Sequence, residues 1–378
     1  MSRQPPHPPP IPDSPGRRRL LAALALSPFL GLVGGCTGGG GGDGGGNPAP
    51  PTPTRTWRMG FFTLPPRPTV TDTLAMVDHM APHADLVAIH EELPWTDLLA
   101  GMSPDAILDR DKVQLVALLK GKGLRLFFMA DLTDGLSRGQ EAPQLRALGR
   151  SIAEPAVQAA YRAYVLAVAR RLAPDFLGLA AETNLTRALG PAPLYTAEVQ
   201  AANAAAADLK AAQPSLPLLV SVQAETAWGK LPDTGTYAGI ARDLQDFPFM
   251  QVLGISSYPY FAYARPEDLP SDYYSRLLQG SSLPAMVTEG GWPSASFGSV
   301  TSSPETQARY LGVQTRLLES VHAKGLVQLL FADLDLAAWP PPVDGLQAFA
   351  SLGLTGSSYQ AKAAQAAWDL AFARSWTA

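Results

Sequence analysis

From Trp57 onward, short apolar runs alternate with longer stretches in which apolar residues recur at helical spacing. The apolar runs predict strands over residues 57–62 (WRMGFF), 84–93 (ADLVAIHEEL), 124–131 (LRLFFMAD) and 175–182 (DFLGLAAE). The pattern continues with 216–223 (LPLLVSVQ), 251–260 (QVLGISSYPY), a run ending in LPAMVTE at Glu289, and 326–334 (LVQLLFADL). Between them, helical spacing predicts helices over 71–80, 111–120, 154–172, 196–212 and 304–324, with a last one over 358–374. Gly121, Gly123 and Gly325 close helices, and Pro174 stops the long one. Eight strands alternating with helical or loop sequence predict an α/β protein built as one (β/α)8 TIM barrel with insertions over residues 57–378. A doubly wound open sheet is the competing architecture, and it requires a reversal of strand order.

The segment before Trp57 has a different character. Residues 1–16 are Pro-rich, and Arg17, Arg18 and Arg19 then precede an apolar run over 20–33. A basic region followed by an apolar core too short to span a bilayer comfortably is the pattern of a signal peptide. Residues 1–36 are accordingly expected to be an address, ending at Cys36. Residues 37–56 are Gly-rich and then Pro/Thr-rich, which predicts a linker with a reach on the order of 25 Å.

Composition excludes more than it selects. A net charge of -4 with 16% charged residues offers no basic field for nucleic acid. One Cys excludes an internal disulfide. Pro82 stands between His79 and His83, which leaves no helical metal pair, and no phosphate loop or dinucleotide fingerprint sits at a strand–helix junction. No metal and no cofactor are therefore expected.

In a barrel the chemistry gathers at the C-terminal ends of the strands. Lining those ends up gives Phe62 or Thr63, His90 with Glu91 and Glu92, Asp131, Glu182, Gln223 with Glu225, Tyr258, Glu289 and Asp333, with Trp339 just beyond. Glu91 and Glu92 are neighbours on a strand, so only one can face inward. Asp131 and Asp333 could equally cap helices. Around Glu289 the sequence TEGGWPS delivers one acid at a strand tip, then turns at Gly290-Gly291 before Trp292.

TEGGWPS resembles the words ETGWPS and TEFGW, which end the seventh strand in several clan A glycoside hydrolases. QVLGISSYPY is similar to the sixth strand of endo-β-1,4-galactanases, and β-1,3-glucanases share the general pattern. The resemblance implies a retaining glycoside hydrolase with Glu289 as nucleophile, Glu182 as acid/base and Tyr258 orienting the nucleophile. It also implies a carbohydrate partner, with His90, Asp131, Asn184, Gln223, Trp292, Asp333 and Trp339 about the sugar. In that family an Asn precedes the acid/base and holds the substrate's 2-hydroxyl. Here Ala181 stands in that place and Asn184 follows two residues after the Glu. The stretch around Cys36 resembles the lipobox of bacterial lipoproteins, which implies acylation at Cys36 and an exported, membrane-anchored protein. Two other readings stay open: a carbohydrate-binding lipoprotein that has lost catalysis, and a barrel enzyme of different chemistry with Glu225 or His90 as its base.

Overall fold

The structure, a computed structural model, describes residues 54–231, 235–340 and 344–377. Cys36, and with it the signal and most of the linker expected ahead of the folded part, lie outside the described residues. Eight parallel strands carry the fold: β1 Arg58–Phe62, β2 Leu86–Glu92, β3 Arg125–Asp131, β4 Phe176–Gly178, β5 in two pieces (Leu218–Leu219 and Ser221–Gln223), β6 Leu253–Ser257, β7 Ala285–Gly290 and β8 Gly325–Gln328. Neighbours in the chain are neighbours in the sheet, and β8 returns to β1 with Gly325 opposite Arg58 and Gln328 opposite Phe61. The far side closes through β5. Leu218–Leu219 pairs with β4 and Ser221–Gln223 with β6. The break at Val220 is bridged in both directions, by Ser221 N–H to the Ala180 carbonyl (3.0 Å) and Gly254 N–H to the Val220 carbonyl (2.9 Å). No reversal of strand order occurs, which removes the doubly wound sheet.

The strands read as near-continuous apolar runs because they are covered on both faces. Polar hydroxyls on the helices tie down the outer layer: Tyr161 and Tyr164 of the helix Pro155–Leu172 donate to the Leu179 carbonyl (2.6 Å) and to Glu91 (2.7 Å). Glu91 thus faces the helix layer, where Lys112 also pairs with it. That pairing accounts for one departure from the expected elements. The helix expected over 111–120 is two helices, Pro104–Asp111 and Val113–Gly121, because Lys112 leaves helical geometry and turns its ammonium inward to Glu91. The last helix is shorter than expected, Ala363–Phe372, since Ala361 bridges back to Thr355.

The folded part also takes in residues ahead of Trp57. Thr54–Arg55 pairs in parallel with Ser375–Trp376 beneath the starts of the barrel strands. The buried Arg55 side chain donates to the Trp57 carbonyl (2.6 Å) and to Asp85 (2.9 Å). Among the described residues no helix is long and apolar enough to cross a membrane.

Candidate active site

Three local departures from regular structure aim the acids at the strand tips. The first is in β7. Ile255 is opposite Val287, but the next residue, Ser256, is opposite Glu289, so Thr288 is extra and the strand bulges just before the acid. A bulge re-aims the side chain that follows it. Gly290 and Gly291 then pass so close to their neighbours that side chains are excluded. A Cβ at Gly290 would lie 2.3 Å from the Ser257 carbonyl, and one at Gly291 would lie 2.6 Å from Gln328 Nε2.

The second departure is at Glu182. The ladder of β4 ends at Gly178, short of the strand expected to run to 182. Glu182 itself has φ +51, a left-handed conformation that costs a non-glycine residue about 1 kcal/mol. Its N–H donates to Ser221 Oγ (2.9 Å), and its carbonyl accepts from Leu185 and Thr186, opening the helix Thr183–Leu189.

The third departure is a hairpin after β3, Thr133–Asp134 with Ser137–Glu141, which swings Arg138 into the barrel mouth. Arg138 is 2% exposed, and its guanidinium joins two acids. Nε donates to Glu182 (2.8 Å) and Nη1 to Asp131 (2.7 Å). Asp131 also meets His90 Nε2 at 2.9 Å, and the other ring nitrogen, Nδ1, stands 3.2 Å from Glu289. A continuous buried relay therefore runs Glu182–Arg138–Asp131–His90–Glu289.

Its electrostatics follow from the order of charges. Burial alone would lower the His90 pKa, but carboxylates on both ring nitrogens, Asp131 first, outweigh it and raise it. Burial likewise works against the Asp131 charge, yet Arg138 and then His90 hold Asp131 well below the usual carboxylate range. With His90 protonated, the relay holds two cations and three carboxyl groups.

The remaining expected residues have commitments of their own. Asn184 exchanges hydrogen bonds with the Gln223 backbone (2.9 and 2.7 Å), tying the turn after β4 to β5. The Gln223 side chain caps a short helix at Thr226 and donates to Glu225 (2.7 Å). Asp333 pairs with Lys362 (2.6 Å). Tyr258, at the end of β6, is packed edge-on against Tyr260, Phe261 and Phe349. Trp292 is 1% exposed with its indole N–H on Ser302, and Trp339 is 4% exposed with its N–H on the Pro66 carbonyl. As placed, neither indole offers an open face.

Glu225 is buried beside this group, accepting from Tyr273 (2.6 Å) and Gln223. Burial pushes its pKa up to about 7, with the negative charge of Glu182 adding to the rise. The unfolded chain gives up this proton first, near 4.5, so folding stability falls as pH rises from about 4.5 to about 7. The loss is on the order of 3 kcal/mol. Glu225→Gln is expected to flatten that slope in urea midpoints measured across the window, at the cost of the bond from Gln223. An unchanged slope would place the titrating group elsewhere.

Among the described residues, no cluster of three or more His, Cys, Asp or Glu is placed to hold a metal ion. Arg138 was not foreseen from the sequence. The Asp134-Gly135 pair between β-compatible residues is the signal that points to its hairpin.

The barrel shape has solved counterparts. An exo-β-1,4-mannosidase, Op5Man5, from an Opitutaceae bacterium matches with a TM-score of 0.65 at 17% identity, over 85% of this chain and 60% of that one. A GH5_18 protein from Streptomyces cattleya, solved in complex with GlcNAc, gives 0.60 at 16% identity over 84% and 80%. The Penicillium canescens endo-1,4-β-xylanase XylE gives 0.57 at 14% identity over 84% and 94%. The fold is that of glycoside-hydrolase barrels. The chain spans only 60% of the length of the mannosidase. It matches no protein-family model and no curated protein.

Proposed function

We propose that the chain is a retaining glycoside hydrolase acting on a poly- or oligosaccharide, held at a membrane through Cys36 in an exported lipoprotein. Glu289 attacks the anomeric carbon, and Glu182 protonates the leaving oxygen and then deprotonates the incoming water. Tyr258 orients the nucleophile, and His90, itself held by Asp131, pairs with it from the other side. The observation that carries the reading is the relay joining Glu182 to Glu289 across the barrel mouth, with Glu182 in the turn after β4 and Glu289 near the tip of β7. Two carboxyl groups on opposite sides of one cleft are what glycoside cleavage needs.

The test is a reducing-end assay of the folded chain against galactan, β-glucans, mannan and xylan. Release of ends from at least one is expected. A second reading, a carbohydrate-binding lipoprotein without catalysis, is favoured by the pair between Arg138 and Glu182, since a guanidinium beside Glu182 keeps it ionised, without the proton a general acid must hold. Binding to one of these polysaccharides with no cleavage of any would select it.

The anchor has its own expected result. Cys36→Ser should leave the protein in the soluble fraction after a high-salt wash, because a lipidated Cys carrying more than one acyl chain suffices for stable attachment. Retention in the membrane fraction would remove the lipobox reading.

A further inference from the structure

The barrel mouth is covered from two sides by chain that the strands themselves do not need. From one side comes the hairpin after β3, which carries Arg138. It is clamped to the end of the helix Thr183–Leu189, so closely that a Cβ at Gly139 would lie 2.8 Å from the Leu189 carbonyl. The chain after the hairpin is tied back beside β2. There the Gln144 side chain accepts from the Thr96 N–H (3.0 Å), and the Gln144 N–H donates to Glu92 (2.7 Å).

From the other side comes the segment between β8 and the last helix, which is tied to three further loops of the mouth. Beside β1, the Pro66 carbonyl accepts from the Asp335 N–H (2.9 Å) and from the Trp339 indole (2.9 Å). Beside β6, the Tyr260 hydroxyl donates to the Ala348 carbonyl (3.0 Å), and Phe349 packs edge-on against Tyr258 and Phe261. Beside β7, the Ser351 carbonyl accepts from the N–H and the hydroxyl of Ser294 (2.9 and 3.0 Å). Trp339, Tyr260 and Phe349 are all buried, and loops fastened by buried side chains and satisfied hydrogen bonds do not swing aside at small cost.

Between the two covers the acids keep little open surface: Glu182 is 6% exposed and Glu289 2%. Cutting inside a polymer requires the chain to run past the acids in both directions, along an open trough. Acids sunk beneath two fastened covers suit a chain end instead.

We infer that the site takes the non-reducing end of a β-linked oligo- or polysaccharide and releases one sugar unit at a time. Resting on the retaining chemistry proposed above, the direction follows from the bonds. Glu289 bonds to the anomeric carbon of the enclosed unit, the bond from that carbon to the leaving oxygen breaks, and the oxygen takes its proton from Glu182. Everything on the reducing side is therefore leaving group and points out of the site. The enclosed unit has no room for a further sugar on its other hydroxyls, which makes it the terminal one. Trp339 and Phe349, which fasten the segment after β8, then determine specificity by closing the site behind that unit.

The test uses the full chain and β-1,4-linked galacto-, gluco-, manno- and xylopentaose, each carrying a fluorophore at its reducing end. Whichever is cut should give the labelled tetrasaccharide as first product. The same chain with a 4-O-benzyl ether on its non-reducing unit should be cut more slowly, by a factor on the order of 100 or more. Labelled di- or trisaccharide among the first products, or equal rates for capped and uncapped chains, overturns the inference and leaves the hydrolase reading standing. If none is cut, the proposed hydrolysis fails, and fluorescence polarisation of the same labelled chains decides the inference alone. Binding of an uncapped chain but not its capped form supports the enclosed end; equal binding of both, or of neither, overturns it. Trp339→Ala, which frees the segment after β8 from Pro66, should narrow the gap between capped and uncapped chains. A gap that stays the same overturns the role of that segment.

Discussion

Glu289→Ala is expected to lose hydrolysis by a factor on the order of 10⁵ on every substrate, including activated aryl glycosides. The bulge at Thr288 and the close passage of Gly290 and Gly291 place this carboxylate at the tip of β7, and the proposed function assigns it the covalent intermediate. Glu182→Ala should differ in kind. An aryl glycoside whose leaving group needs no proton should still react with Glu289. The glycosyl-enzyme should then accumulate, and azide, which needs no general base, should speed its turnover. Burst kinetics and a glycosyl azide product of retained configuration check this. Equal loss in both variants, with azide rescuing neither, would falsify the division of roles.

Arg138→Met should produce the largest loss of stability of any single change at the site. The methionine fills similar volume, but it leaves Asp131 and Glu182 buried without the guanidinium that both now contact. Removing one partner of a buried ion pair costs about 3–5 kcal/mol. The loss should depend on pH in a defined direction. Asp131 is depressed by Arg138, so its contribution in the native chain is present above the ordinary carboxylate range and is lost only as pH falls through its low folded value. Without Arg138, both carboxyls can take up protons as the solution is acidified. The gap in urea midpoint between variant and native chain should thus be wide at pH 7.5 and narrow at pH 4.5. A gap that stays constant would mean the cost is one of packing alone.

The apolar runs were sufficient for the barrel because strands covered on both faces have little choice of composition. Glu289 was legible for a related reason: a carboxylate that ends such a run and precedes two glycines has no packing role to fill. Glu182 was legible as a residue but not as a conformation, since nothing in DFLGLAAE shows that the ladder stops at Gly178 and that the acid turns left-handed to start a helix. Arg138 was hidden by local context. Arg138 lies in a polar stretch that looks like a solvated loop until its hairpin folds over the mouth. The two tryptophans mislead in the opposite sense, because indoles at a strand end suit a sugar and a core equally well, and here both N–H groups bond inside the fold.

The clasp of Thr54–Arg55 against Ser375–Trp376 fixes where the chain enters the barrel. The chain enters the fold beneath the strand starts, at the pole opposite Glu182 and Glu289. The anchor proposed at Cys36 would therefore be attached to the barrel at its base, away from the two acids. Tension along that tether would first load the short parallel pairing and the Arg55–Asp85 contact. That load would fall a full strand length from the carboxyl groups.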